Sequence, residues 1–262
     1  MFTEKDFWIP NISNIPNDKE KLGQLVSIFK LNRYSLQEMY NLNFHTQLKL
    51  SKETFRKRIN HSTLVGILSY DDQKYELSEV SKKLLQNQIS QNGFIEEIIL
   101  KSLPLNNVVS ITLILVKLFA PSLRIKTLYS IFSLVSKDRS DNSAISSTGR
   151  NLRAILSLIK MLGIIEKKNE LILLGDRDGS GITNFQIESL QDYFNEDIVN
   201  INLIKNYLLN YFDKESASKI LTCVASYETE NYIWSKSSLY KNQGEVKNLF
   251  NEYIMTVIIK RG

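Results

Sequence analysis

Apolar positions recur at helical spacing along most of the chain, interrupted by two short stretches of a different period. Pro10 and Pro16 keep the opening segment out of helix, because proline lacks an amide donor and restricts the residue before it. Asn17-Asp18 then reads as a cap, and Leu22, Leu25, Val26 and Phe29 follow at the spacing of one buried helix face. Ser35 stands three residues before Glu38, the capping-box pattern, ahead of Leu36, Met39 and Tyr40. Ser51 precedes a third helix with Phe55, Ile59 and Thr63 facing inward. There the period changes. Residues 64–70 are β-prone, Asp71-Asp72-Gln73 reads as a turn, and Lys74-Tyr75-Glu76-Leu77 returns as a strand. A helix from Ser78 to about Gln88 closes this segment.

A similar order recurs further on. Phe94 to Leu103 reads as a linker helix stopped by Pro104, and Val108 to Phe119 as an apolar helix. Pro121-Ser122 starts another, with Leu123, Leu128, Ile131, Phe132 and Val135. A polar loop, Lys137 to Ser143, leads to an amphipathic helix opened by Ser147 and ended by Gly163, placed as a C-cap glycine. Ile164-Ile165-Glu166 and Leu171 to Leu174, either side of Lys167-Lys168-Asn169, predict a second hairpin. Beyond it, Ile182 to Phe194, Ile198 to Phe212, Lys214 to Tyr227 and Val246 to Ile259 read as helices. The expected organisation is a lead (1–18), two domains (19–90 and 91–175) and a C-terminal helical region (176–262).

Thr54 to Leu77 and Thr148 to Leu174 share one pattern: helix, glycine at the helix end (Gly66-Ile67-Leu68 or Gly163-Ile164-Ile165), polar turn, and a strand ending in leucine. This resembles the third helix and wing of winged helix-turn-helix domains, in tandem, over roughly residues 19–88 and 108–175. The resemblance implies a fold that is mainly α with short β-hairpin wings: two winged-helix domains plus a C-terminal helical region. It is similar in arrangement to plasmid replication initiators and to the tandem winged-helix subunits of bacterial chromosome-organising complexes. It implies either DNA reading or protein docking.

Composition narrows the function classes. The 262 residues are 43% hydrophobic and 23% charged, values that exclude a largely disordered chain. A single cysteine, Cys223, and two histidines, His45 and His61, exclude a disulfide scaffold and a zinc site of the usual Cys/His kind. Cys223, among Leu221, Val224 and Ala225, reads as a buried small hydrophobe. Ten glycines and four prolines are few for a β-sandwich or a doubly wound α/β enzyme. The most apolar run, Val108 to Ala120, contains Lys117 and is shorter than the ~20 residues of a membrane span. With Glu4, Lys5 and Asp6 in the opening residues, no signal peptide is read, and a soluble, cytoplasmic protein without a membrane partner is expected.

Charge is uneven. Residues 1–90 hold 13 Lys/Arg against 10 Asp/Glu, residues 91–175 hold 11 against 6, and residues 176–262 hold 9 against 12. A basic body with an acidic tail points to a polyanion as partner of the first two thirds.

The candidate chemistry follows that asymmetry. On the second amphipathic helix, Leu152, Ile155, Leu156, Ile159 and Leu162 make the apolar stripe, while Arg150, Arg153, Ser157 and Lys160 make the other, with Asn151 beside it. Arginine forks onto guanine and asparagine onto adenine in the major groove. Ser147 and Thr148, read as the helix start, would hold a phosphate alongside free backbone amides. Lys52, Arg56, Lys57, Arg58 and Asn60 form a second basic cluster, opposed by Glu53 and flanked by Lys49 and His61. Lys167 and Lys168 lie at the second hairpin tip, within reach of a phosphate. Asp71-Asp72 at the first tip would repel a duplex, which favours protein docking for that domain. The expected DNA-binding set is therefore Lys52, Arg56, Lys57, Asn60, Thr148, Arg150, Asn151, Arg153, Lys160, Lys167 and Lys168.

Catalytic motifs are absent from the sequence: no phosphate loop, dinucleotide fingerprint, serine nucleophile elbow or paired-histidine metal motif. Asp176-Arg177-Asp178-Gly179-Ser180-Gly181 resembles the start of a calcium loop, but its twelfth position is Ile187 rather than glutamate. A non-enzymatic protein without cofactor or metal is expected, with double-stranded DNA as partner and a regulatory or accessory role in a DNA-handling complex. The alternative is an assembly subunit that contacts a protein, or a second copy of itself, through its C-terminal helices, where Tyr227, Tyr232, Trp234 and Tyr240 cluster.

Overall fold

The computed structural model describes residues 1–136, 142–177, 179, 181–183, 185–229, 231–237 and 246–261. Polar caps set the first helices. The Asp18 carboxylate accepts from the Lys21 amide at 2.8 Å and starts α1 (Lys19–Phe29). Ser35 and Glu38 form the reciprocal capping box of α2 (Leu36–Asn41), and a single turn, α3 (Phe44–Gln47), follows. Ser51 caps α4 (Lys52–Leu64). The hairpin β1 (Leu68–Asp71) and β2 (Lys74–Leu77) turns through Asp72 and Gln73, at φ 48° and 58°, the type I′ geometry that matches strand twist.

The chain continues through α5 (Glu79–Leu85), α6 (Gln91–Lys101) and α7 (Leu103–Leu118). The expected linker helix ends at Lys101, before Pro104, and Pro104 itself lies in the first turn of α7, where no proline amide is needed. Next come β3 (Ser122–Arg124), α8 (Ile125–Val135), α9 (Asn142–Met161), and the hairpin β4 (Ile165–Lys168) and β5 (Leu171–Leu174). The last segment holds α10 (Leu190–Tyr193), β6 (Ile198–Asn200), α11 (Ile201–Leu208), α12 (Lys214–Val224), β7 (Tyr232–Ser237) and β8 (Tyr253–Ile259).

The mainly-α expectation, two winged-helix domains followed by an all-helical region, is overturned. The fold is mixed α/β, about 51% helix and 16% strand, with three small sheets of 2–3 strands among the described residues. The sheets are β1-β2, β3-β5-β4 and β6-β8-β7, all antiparallel. The C-terminal region is where the expectation fails most. Val246 to Ile259 contains β8, not a helix, and only Leu190–Tyr193 of Ile182 to Phe194 is helical. In β8, Thr256, Val257, Ile258 and Ile259 are β-branched and suit a strand. The register against β7 shifts between Ser235 and Lys236 and leaves Met255 without a partner. This bulge turns both Ile254 and Val257 inward at a spacing that mimics a helix.

Packing divides the chain into two compact units. One comprises Ile9–Val109 and Arg150–Ile164; the other comprises Met1–Trp8, Ser110–Gly149 and Ile165–Gly262. The first unit buries Leu25, Phe29, Met39, Phe55, Ile59 and Phe94. In the second, α12 packs on α8 and the Tyr232 hydroxyl donates to the Ala120 carbonyl at 2.7 Å. The opening residues of that unit are held by the Phe2 amide on the Tyr211 carbonyl (2.7 Å) and by an ion pair of Glu4 with Lys219.

An internal repeat is visible in the backbone. After α4, the Gly66 amide donates to the Thr63 carbonyl and the Ile67 amide to the Ser62 carbonyl. After α9, the Gly163 amide donates to the Lys160 carbonyl and the Ile164 amide to the Ile159 carbonyl. Both glycines sit at positive φ, 79° and 75°, so both helices end in the same Schellman motif. Before each hairpin, an upstream residue or strand pairs antiparallel with the hairpin's second strand: Tyr34 with Tyr75, and β3 with β5.

Candidate nucleic-acid interface

Both basic helices supply their chemistry from the first unit, which contains α4 and residues Arg150–Met161 of α9. On α4, Phe55, Ile59 and Ser62 face the core. The opposite side exposes Lys52, Arg56, Lys57 and Asn60. These four differ in availability. Lys57 is paired with Glu53 one turn earlier at 2.6 Å, and the ammonium holds that carboxyl below its ordinary range. The Lys52 ammonium sits 5.7 Å from the Tyr40 ring centre, a cation–π distance. Asn60 accepts from the Tyr75 hydroxyl at 3.4 Å. Arg56 has no ion pair with a described residue.

On α9, Leu152, Ile155, Leu156, Ile159 and Leu162 are buried, as their spacing predicts. Arg150, Arg153 and Lys160 are exposed on the opposite stripe. The Ser157 hydroxyl on that stripe donates to the Arg153 carbonyl at 2.9 Å. α9 itself contains no acidic residue.

Two expected contacts are corrected. Asn151 is 7% exposed and its side-chain oxygen accepts the Ser13 amide at 3.1 Å, so it is committed to the fold and does not face a base. Thr148 is not at a helix start. The helix begins at Asn142, and its amides at Thr148 are already in the helical ladder. Free amides for a phosphate therefore do not exist there. The side chain of Ser147, residues 137–141 of the expected polar loop, and Asp178 and Ser180 of the calcium-like loop lie outside the described residues, as does Tyr240.

A connection that the sequence did not reveal ties the two helices. Ile12 and Ile15 are buried, and the segment between them forms a strap. The Ser13 amide binds Asn151 on α9. The Asn14 amide donates to His61 Nδ1 at 3.1 Å, and Arg58 Nε donates to the Asn14 carbonyl at 3.0 Å, both from α4. Burial disfavours charge on Arg58 and His61, lowering both from their ordinary values. These contacts span up to 138 residues of sequence. No local pattern announces them.

In the second unit, Lys167 and Lys168 are exposed on β4, before a turn in which Asn169 takes φ 56°. At the first hairpin tip, Asp71 is paired with Arg33 at 3.2 Å, whereas Asp72 is exposed. Tyr232 and Trp234 lie on β7 and are buried, which removes two of the aromatics expected to present a protein contact. Cys223 is buried, and desolvation pushes its thiol up to about 12. Among the described residues no three His, Cys, Asp or Glu side chains gather as a metal site, and no single helix is long and apolar enough to cross a membrane. No protein-family model, curated protein or solved structure matches the chain.

Proposed function

We propose that this is a non-catalytic nucleic-acid-binding protein that meets double-stranded DNA through α9 and α4, with an accessory or regulatory role in DNA handling. The observation that carries the reading is the α9 stripe. Three cations, Arg150, Arg153 and Lys160, are exposed on a helix that has no acidic residue. Lys52 and Arg56 on α4 add two exposed cations to the same unit. Cations in such an array neutralise phosphates and release condensed counterions, which makes affinity fall steeply with salt.

Fluorescence anisotropy on duplex DNA at two salt concentrations tests this. Each lost phosphate contact reduces the salt slope by about 0.9, so Arg150→Ala with Arg153→Ala should flatten it by about 2 and weaken binding about 10-fold or more. Absence of binding at low salt, or binding indifferent to the double substitution, would overturn the reading.

A further inference from the structure

We infer that the β1–β2 hairpin carries a stacking platform for an unpaired nucleobase, so that the protein prefers DNA with a single-stranded tail or fork over a blunt duplex. This rests on the nucleic-acid reading above and names the substrate class of the α4 part of that surface.

Tyr70 and Tyr75 are direct cross-strand partners, with ring centres 4.5 Å apart and planes tilted by 44°. Tyr75 is fixed from two directions. Its backbone exchanges hydrogen bonds with Tyr34 (2.9 and 2.8 Å), and its hydroxyl donates to Asn60 on α4. Tyr70 leans on this fixed neighbour and remains 53% exposed. A ring already ordered by its partner loses little freedom when a base stacks on it.

The charges around the pair favour a nucleic acid with a displaced base. Arg56 lies one turn before Asn60 on α4, and Lys52 one turn before that, so cations run along the helix that Tyr75 touches. Arg33 neutralises Asp71 through its carboxylate and carbonyl. Asp72 keeps a negative charge at the turn itself, which directs phosphates to the α4 side and leaves the ring to the base. Within a duplex the bases stack on each other, and only the outer face of a terminal pair is open to Tyr70. An unpaired base offers an open face, whatever its identity.

The test is anisotropy of the full chain on a blunt duplex and on the same duplex with a single-stranded tail carrying 2-aminopurine. The tailed DNA should bind about 10-fold tighter, with 2-aminopurine emission quenched on binding. Tyr70→Ala should erase both the preference and the quenching, and Tyr70→Phe should keep them. Equal affinity for the two DNAs, or a preference that survives Tyr70→Ala, would overturn this inference. If Arg150→Ala with Arg153→Ala still weakened both complexes in that case, the nucleic-acid reading would stand without the platform. A protein that bound wild type and not Tyr70→Ala, with DNA preference unchanged, would reassign the tyrosines to protein docking. Failure of either DNA to bind would remove both readings. Circular dichroism and thermal melting of each variant would separate loss of binding from loss of fold.

Discussion

The Ser13 amide donates to the Asn151 side-chain oxygen at 3.1 Å, so the strap before α1 is held by the helix that carries the exposed arginines. Asn151→Ala leaves that part-buried amide without its acceptor. The expected cost is about 1–3 kcal/mol, read as a lower urea midpoint at unchanged m-value. Duplex affinity, measured where the variant is folded, should stay within about 2-fold, because no base contact is lost. An Asn151→Ala protein of normal stability and altered base preference would return Asn151 to the reading face.

His61 gives the strap a pH dependence. Its Nδ1 accepts the Asn14 amide, which requires the unprotonated nitrogen. Burial, then the Lys57 charge, lowers its pKa from 6.5. Arg58, also at the strap, adds a cation nearby, and Asp18 is the carboxylate coupled to Arg58. The unfolded chain therefore binds a proton first as pH falls. The stabilising contribution is complete above about 6.5 and is lost as pH drops toward the depressed folded value. Urea midpoints from pH 8 to 5 should fall more for wild type than for His61→Phe. Parallel curves would show that this imidazole contributes nothing to the pH response.

The parts of this fold legible in the sequence are those whose determinants are neighbours in the chain. Ser35 with Glu38, Ser51 with Thr54, and Gly66 and Gly163 at helix ends all act within six residues, and the structure contains each cap where the pattern placed it. The β6-β8-β7 sheet escaped because its bulge puts Ile254 and Val257 inward at a helix-like interval. Asn151 is misleading in the sequence for a related reason. Its position next to Arg150 suggested a shared face, but successive helix residues point about 100° apart, and its partner lies 138 residues away. The Tyr70–Tyr75 pair could have been found, since both flank the Asp72-Gln73 turn at equal distance and must therefore face each other.

Lys30 occupies a conformation made for glycine. It lies at φ 50°, ψ −132°, and the Asn32 amide closes the turn onto the Phe29 carbonyl at 3.1 Å. This is the first central position of a type II′ turn, where a Cβ is strained. Lys30→Gly should raise stability by about 1 kcal/mol, the relieved strain exceeding the entropy that glycine adds to the unfolded chain. Thermal denaturation would read it as a higher Tm. A lower Tm for Lys30→Gly would mean that the lysine stem stabilises the turn by more than the strain costs.

Glu53 restrains the charge of α4 through its 2.6 Å contact with Lys57. Both groups are largely in water, where such pairs contribute little to stability. Glu53→Gln should therefore leave the melting curve almost unchanged while releasing Lys57 and removing one negative charge beside Arg56. On the nucleic-acid reading, duplex affinity at low salt should rise about 2- to 3-fold, and the gain should vanish at high salt as screening shortens the reach of the added charge. Lys57→Ala should have the opposite effect at similar size, because it removes one positive charge and leaves the Glu53 carboxylate unpaired beside Arg56. Anisotropy titrations of both variants at two ionic strengths decide the matter. A Glu53→Gln protein with unchanged low-salt affinity would place α4 outside the DNA contact and leave the α9 stripe to act without it.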